Sequence, residues 1–474
     1  MSESLKPFDV FADIATTRLS ETQAKKIRSN YQSGDFSKVF PAGSSAIPSL
    51  MVGRQSQIAQ LSALAKEVID NDNPSIVGVV LHGPRGTGKT ALLNALHRGL
   101  NSIGYVDVIS MTGNDELTSD EKLIERLSKF ITPKPELSEK TSRDTSGRLD
   151  LGLAAGRTSA RVEVEQRVSG GQPEFISIGS YLHSFLDEAP ERPAMFLVDE
   201  AHGADPAVLG HLLNAIQSFT GADDHSIGIV LAGTPETLDV LRHPECKATW
   251  FRDRAQSDRF SPMPNDLSAL ACQHAVDAIL KAADVSIHDY ADLEHAVQGC
   301  KGSPYFLQLL GKAALESASR NEGVADFQVG GEIDRVFKQG VQARYEETWN
   351  DLEDKGLTGC ALQLGALWKA AKANGFTIDR QLIRKAIQSG LDHGPRPDND
   401  IIETSTQAST HFKHLGLLWS PSRPTEGPWD LGLPSFFGFV EERFEKITYR
   451  QERQQLSLAI RNILQEIDVV QGME

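Results

Sequence analysis

The chain has 474 residues, and its 64 acidic and 48 basic side chains give a net charge of −16. This length predicts about three domains, and 40% hydrophobic with 24% charged residues is typical of a soluble globular protein. The acidity disfavours non-specific nucleic-acid binding by the whole surface and leaves room only for a local basic patch.

Two further features of the sequence indicate the cellular compartment. No apolar run approaches the roughly 20 residues of a membrane span, and residues 1–6 lack the basic and apolar regions of a signal peptide. The four cysteines are scattered without a Cys-x-x-Cys pair, so neither a disulfide framework nor a zinc site is expected. We therefore predict a cytoplasmic protein with no membrane partner.

A glycine-rich stretch between an apolar run at 76–81 and a helical pattern carries the strongest signal. In chain order its residues are Gly83, Pro84, Arg85, Gly86, Thr87, Gly88, Lys89, Thr90 and Ala91. Strand, loop and helix with the spacing G-x-x-x-x-G-K-T make a phosphate-binding P-loop. Its backbone N–H groups and helix N-terminus would hold the phosphates of ATP. Lys89 would reach the β- and γ-phosphates, and the Thr90 hydroxyl would bind Mg²⁺.

A second apolar strand, at residues 194–198, ends in two carboxylates, as a Walker B strand does. Asp199 is predicted to hold Mg²⁺, usually through water, and Glu200 to orient or deprotonate the attacking water. The letters at 199–202 also spell the Asp-Glu-Ala-His box of a helicase class. That interpretation is discounted because no other helicase motif is arranged around it.

Between these motifs, residues 133–173 are polar, and the segments 149–153 and 160–165 alternate with period two. This pattern predicts a β-hairpin inserted into the nucleotide-binding core. Residues 134–174 carry equal numbers of acidic and basic side chains, so the insertion is no cationic DNA clamp. The insertion is therefore either a contact between subunits of an oligomer or a solvated flap, and the sequence favours neither.

Three helical patterns near the C-terminus precede a Pro/Gly turn between short apolar segments, which suggests a winged helix. The third pattern, at 407–415, has only His411, Lys413 and His414 as potential cations, and acidic residues crowd the segment before it. DNA binding normally needs several phosphate-neutralising Lys or Arg side chains. A protein partner therefore fits this domain at least as well as DNA.

Together, the order of Gly53-Arg54, the P-loop, Asp199-Glu200, Gly233-Thr234, Arg254 and the segment 302–308 resembles the AAA+ ATPases related to origin-recognition and STAND proteins. More narrowly, it looks like the bacterial ATP-binding proteins of that group, over about residues 40–444. The resemblance implies an α/β fold with a P-loop AAA+ core, in which helices flank a parallel sheet. A helical lid and a C-terminal winged-helix domain would follow.

The resemblance also implies roles for single residues. Gly53 and Arg54 would wrap the adenine, and Thr234 would be sensor 1, which contacts the γ-phosphate or the attacking water. Arg254, with Arg252 as the second choice, would be the arginine finger that enters a neighbouring subunit's site.

The lid loop that ends at Pro304 stands at the sensor 2 position. It carries no arginine there, and this departure from the family predicts slow hydrolysis.

The predicted domains are an N-terminal extension (1–49), the AAA+ core (50–240, with the insertion at 133–175), the helical lid (241–345) and the winged-helix region (346–474). The predicted function is an ATP-hydrolysing switch that oligomerises with itself and signals to an unidentified partner protein. The alternative is an ATP-dependent DNA-binding or loader protein, and a third reading is a scaffold that binds ATP without hydrolysing it.

Overall fold

The structure is a computed structural model. It describes residues 19–43, 47–70, 75–83, 85–129, 164–166, 174–176, 178–179, 182, 192–218, 226–260, 265–300, 302–374, 378–393, 404–415, 417–418, 436 and 439–440. These residues divide into two compact units. The first, called the sheet unit, consists of the described residues within 54–82 and 89–259. The second, called the helical unit, consists of the described residues within 17–53, 83–88 and 260–474.

The strands are β1 (Ile76–His82), β2 (Asp107–Thr112), β3 (Val164–Gln166), β4 (Glu174–Ile176), β5 (Ala194–Asp199), β6 (Ile227–Gly233), β7 (Gln256–Arg259), β8 (Ser286–Ile287) and β9 (Val324–Ala325). Five of them form one parallel sheet in the order β2-β5-β6-β1-β7. The central strands β5 and β6 are apolar and buried along almost their whole length, as expected for a parallel sheet covered on both faces.

The helices of the sheet unit are α3 (Gln55–Asp70), α4 (Lys89–Ile103), α5 (Asp120–Ser128), α6 (Pro206–Gln217), α7 (Thr237–Arg242) and α8 (Thr249–Arg254). A short 3-10 helix, Ala201–Gly203, follows β5. One hydrophobic core joins α5, α6, α7 and α8 to the sheet. Helices α3 and α4 also bury apolar side chains. The predicted α/β core, a parallel sheet flanked by helices, is thus confirmed.

The helices of the helical unit are α1 (Glu21–Gln32), α2 (Phe36–Val39), α9 (Asn265–Ala282), α10 (Tyr290–Gly299), α11 (Pro304–Arg320), α12 (Glu332–Asp354), α13 (Thr358–Asn374), α14 (Arg380–His393) and α15 (Ser405–His414). A second hydrophobic core runs through all of this unit. Because β8 and β9 have two residues each, helix packing supplies nearly all of its buried apolar surface.

The sheet does not end at the predicted core boundary, residue 240. Strand β7 pairs in parallel with β1, with Val79 opposite Gln256 and His82 opposite Arg259. An edge strand receives ladder hydrogen bonds from one neighbour only, and it need not be apolar on both faces. The polar sequence of β7 therefore gave no strand signal.

The segment predicted as an N-terminal extension is part of the helical unit. Helix α1 begins with a capping box between Ser20 and Gln23, and its Arg28 forms an ion pair with Asp284 at 2.7 Å between Nε and Oδ2. After α2, the buried ring of Phe40 lies directly against the backbone of Gly311 in α11, where a Cβ would overlap it. Residues from α1 and α2 thus complete the core of the helical unit.

Two other predicted regions are described only in part. Strands β3 and β4 form an antiparallel pair, with Val164 opposite Ile176, whereas the predicted segment 149–153 lies outside the described residues. Helices α13, α14 and α15 cover nearly the same residues as the three helices predicted for the winged helix. Its predicted hairpin lies outside the described residues except for the buried Leu417 and Leu418, so the winged helix stays a prediction.

All four cysteines are buried free thiols. Desolvation raises the pKa of Cys360 to about 12, which makes its thiol a poor nucleophile in the folded chain. Among the described helices, none combines the length and the apolar character that crossing a bilayer requires.

The placement of Phe40 leads to a stability prediction. Phe40→Ala should lower the free energy of unfolding by about 3–5 kcal/mol, because it leaves a cavity against α11. Chemical unfolding of the full chain measures this change. Val329→Ala is the control: Val329 belongs to the same unit with 62% of its surface exposed, and it should shift stability by about 0.5 kcal/mol or less. Equal, small effects of both variants would show that residues 19–43 are not part of this core.

Candidate nucleotide-binding site

Three strands bring the predicted site residues to one edge of the sheet. Strands β5, β6 and β1 are neighbours and run in parallel, so their carboxyl ends lie at the same edge. His82, the last residue of β1, is opposite Gly233, the last residue of β6, and Asp199 ends the next strand along. Ligands of open α/β sheets bind beyond the carboxyl ends of the strands, where these three segments continue.

The P-loop leaves β1 and enters α4 as its sequence predicts. Gly86 and Gly88 have φ angles of 80° and 93°, left-handed values at which a side chain would be strained. Thr87 and Lys89 are buried, and Lys89 is the first residue of α4. Arg85, Thr90 and Ala91 are partly exposed, and Pro84 lies outside the described residues. The loop thus combines the backbone geometry and the buried cation that phosphate binding requires.

The same loop approaches the start of α11. A Cβ at Gly86 would lie 3.7 Å from the Cβ of Tyr305, and a Cβ at Gly83 would overlap the carbonyl group of Phe260. Pro304 is the first residue of α11, and the Ser303 hydroxyl caps the helix by accepting from the Phe306 N–H at 3.5 Å. The predicted lid residue Pro304 is therefore next to a side chain that contacts the P-loop.

Glu200 has an unusual backbone. Its φ and ψ of 49° and 36° are left-handed, which is uncommon for a residue with a side chain and typical of strained functional positions. Hydrogen bonds hold this turn from both sides. Gly113 N–H donates to the Asp199 carbonyl at 2.7 Å, and Gly203 N–H donates to the Glu200 carbonyl at 2.9 Å. The Asp199 carboxylate accepts from the Glu200 N–H at 3.0 Å.

Thr234 follows β6 and is buried, with 1% of its surface exposed. Its hydroxyl has no hydrogen-bond partner among the residues that the structure describes. An unsatisfied buried hydroxyl costs on the order of 1–3 kcal/mol, so a bound ligand or water that supplies the missing hydrogen bond would recover this energy.

His202 contacts both Thr234 and Glu200, and its place in the sequence does not predict this role. Its Nδ1 accepts a hydrogen bond from the Thr234 N–H at 3.3 Å, and its Nε2 lies 3.3 Å from Glu200 Oε2. The signal in the sequence was a histidine two residues after a predicted catalytic carboxylate. That signal does not reveal the contact with β6, which depends on the parallel pairing of the strands.

The remaining predicted residues lie on other elements. Gly53 has a φ of 70°, and Arg54 is buried where α3 begins, with its carbonyl accepting from the Ile58 N–H at 2.8 Å. Arg254 ends α8, is exposed, and forms no ion pair with another described residue. Arg252 pairs with the adjacent Asp253 at 3.3 Å.

Comparison with protein families adds an independent finding. Residues 50–222 match the family described as "AAA ATPase domain". This part of the chain is similar to that family. The match includes Arg54, the P-loop and Asp199-Glu200, whereas Thr234, Arg254 and Pro304 follow its end. The match agrees with the predicted AAA+ core, and the narrower kinship with STAND proteins stays a prediction.

Solved structures resemble the chain remotely. Cdc6p from Pyrobaculum aerophilum is 14% identical, with 90% of this chain and 98% of that chain covered and a TM-score of 0.42. The ORC2 protein of Aeropyrum pernix, solved in ADPNP-ADP complexes, is 13% identical with the same coverage and a TM-score of 0.48. A RuvB variant from Thermotoga maritima is 13% identical, covers 82% of this chain and 96% of its own, and has a TM-score of 0.40. No curated protein matches the chain.

The contact at Gly113 leads to a prediction. In Gly113→Ala the new methyl group would overlap the Glu200 carbonyl and lie 2.9 Å from the Ala201 Cα, so the backbone there must shift. We expect a loss of about 1–3 kcal/mol in the free energy of unfolding, measured by urea denaturation. Gly299→Ala is the matched control, because a Cβ there meets no heavy atom within 4 Å. If the two variants are equally stable, then the close approach of Gly113 does not constrain the backbone of the Glu200 turn.

Proposed function

We propose that the chain binds ATP with Mg²⁺, hydrolyses it slowly, and acts as a switch that oligomerises and signals its nucleotide state to a partner protein. The observation that carries this proposal is the shared edge of the sheet, where the P-loop, Asp199-Glu200 and Thr234 follow the ends of neighbouring strands. P-loop NTPases use these functional groups for phosphoryl transfer to water.

Nucleotide binding is supported by the P-loop. The left-handed Gly86 and Gly88 allow successive backbone N–H groups to turn towards one ligand, and α4 adds the positive end of its dipole. Lys89 would neutralise phosphate charge from its buried position at the first turn. Mg²⁺ would be held by the Thr90 hydroxyl and by Asp199. Asp199 fits this role because, among the described residues, the hydrogen bond to its carboxylate uses Oδ1, which leaves Oδ2 available.

Hydrolysis is supported by the arrangement around Glu200. The carboxylate is partly exposed, as a general base that must reach a water molecule requires. The Thr234 hydroxyl, which lacks a partner among the described residues, would donate to the γ-phosphate or orient the attacking water. Slow turnover is supported by the lid, where Tyr305 approaches the P-loop and no arginine stands between Gly302 and Gln308.

A protein partner is supported by α15, the helix that would read DNA in a winged helix. His411 is engaged by Asp351 of α12 at 2.6 Å between Nε2 and Oδ2. The exposed side chains described on this helix include Thr406, Gln407 and Thr410, all uncharged. Phosphate neutralisation would need several cations, so the alternative function, DNA binding or loading, gains no support from this surface.

The role of Glu200 can be tested by Glu200→Gln. This variant keeps the shape of the side chain and removes its basicity, so phosphate release should fall by about 10²-fold or more while ATP binding persists. Lys89→Ala is the contrasting variant and should weaken ATP binding itself. Unchanged turnover in Glu200→Gln would eliminate the assigned role. A wild-type chain that binds ATP without releasing phosphate would favour the scaffold reading.

Oligomerisation can be tested by mass measurement with and without a slowly hydrolysed ATP analogue. The wild type should gain subunits with the analogue, and Arg254→Ala should weaken this assembly and make turnover independent of protein concentration. The reason is that the exposed, permanently charged fork of Arg254 would contact phosphate in a neighbouring site. Arg252→Ala serves as the comparison, and a defect in that variant alone would move the finger to Arg252. A single-subunit mass in both states would contradict the switch.

A further inference from the structure

We propose that His202 is a positioning residue that couples Thr234 to the carboxylate of Glu200. This inference rests on the proposed ATPase function, because it concerns the same site. His202 would act through Glu200 rather than by touching the nucleotide. Its side chain is almost fully enclosed, with 2% exposure, whereas the Glu200 side chain is 32% exposed.

The first contact fixes the protonation state of the ring. The backbone N–H of Thr234 can only donate, and it points at His202 Nδ1 from 3.3 Å. Nδ1 is therefore the unprotonated nitrogen, and the proton of the neutral ring is on Nε2. The contact that holds the ring thus also decides which of its two nitrogens can donate.

The second contact places the ring beside the proposed general base. Nε2 lies 3.3 Å from Glu200 Oε2, which is within ion-pair distance although the two atoms do not meet hydrogen-bond geometry. An electrostatic contact with one carboxylate oxygen would restrict the direction in which the carboxylate faces the attacking water. Because a general base must lie within hydrogen-bond reach of the proton that it removes, the direction of the carboxylate affects turnover more than nucleotide binding.

The backbone restricts where the ring can lie. A Cβ at Gly233 would be 3.1 Å from both the backbone nitrogen and Nδ1 of His202, so the glycine permits the close approach of the ring to β6. The 3-10 helix that contains His202 begins directly after the left-handed Glu200. The ring is thus held between the end of β6 and the turn that follows β5.

This placement couples ligand contact to the base. The Thr234 hydroxyl, which would contact the γ-phosphate or the water, and the Thr234 N–H, which contacts the ring, belong to one residue. A displacement of Thr234 on ligand binding would change the Nδ1 contact and, through the ring, the direction of the Glu200 carboxylate. We infer that His202 transmits the state of the sensor position to the catalytic carboxylate.

The test compares His202→Ala and His202→Gln with the wild type in steady-state phosphate release and in binding of a slowly hydrolysed ATP analogue. His202→Ala should lower kcat by about tenfold or more, with the KM for ATP and analogue binding within about twofold. His202→Gln, which offers one acceptor and one donor, should recover part of kcat. Unchanged kcat in His202→Ala would overturn the inference. So would equal defects in both variants with lost analogue binding, because that result indicates a purely structural role.

A second readout does not depend on activity. The ¹⁵N spectrum of the nucleotide-free chain, assigned by comparison with His202→Gln, should show a neutral ring protonated on Nε2. A ring protonated on Nδ1 would rule out the proposed contact with Thr234.

The control variant is His211→Gln. It removes a histidine–carboxylate contact of 3.0 Å with Asp120 in the same unit, which involves neither Glu200 nor Thr234, and should leave kcat unchanged. A wild type that releases no phosphate would overturn the proposed function and this inference together. An active wild type that His202→Ala equals in kcat would overturn the inference alone.

Discussion

The parallel pairing of β5, β6 and β1 is the constraint on which the candidate site depends. Parallel neighbours end at the same edge, so the segments after Asp199, Gly233 and His82 are gathered there by hydrogen-bond register rather than by contacts between their side chains. The burial of β5 and β6 on both faces stabilises this arrangement, because separating the paired strands would expose their apolar side chains to water. The chemistry at the edge can therefore be polar and strained without endangering the fold.

A left-handed backbone and an unsatisfied hydroxyl both occur where the chemistry is proposed. The left-handed Glu200 costs on the order of 1–3 kcal/mol, and the buried Thr234 hydroxyl lacks a hydrogen bond within the described chain. Backbone hydrogen bonds from Gly113 and Gly203 hold the Glu200 turn in place. A site that lacks one hydrogen bond and has a constrained carboxylate is suited to a ligand that supplies the missing contact.

The helical unit shows how a segment distant in sequence completes a core. Phe40 fills the space above Gly311, and Arg28 reaches Asp284, so the N-terminal helices pack with α9 and α11. In the same unit, Tyr305 approaches Gly86 of the P-loop. If the loop binds phosphates as proposed, a change in them would reach the start of α11 through Tyr305. This contact gives the proposed switch a physical route for signalling.

Local sequence determined the elements whose physics is local. The P-loop, the strand ending in Asp199-Glu200 and the capped helix α1 depend on residues a few positions apart, and their patterns predicted them. Only the tertiary structure revealed β7, the packing of Phe40, and the contacts of His202 with Thr234 and Glu200. An edge strand needs no apolar pattern, and the other contacts join residues far apart in sequence. The sequence alone therefore indicated that phosphate binds at Gly83–Thr90, whereas the pairing of β5 with β6 decided which side chains surround Glu200.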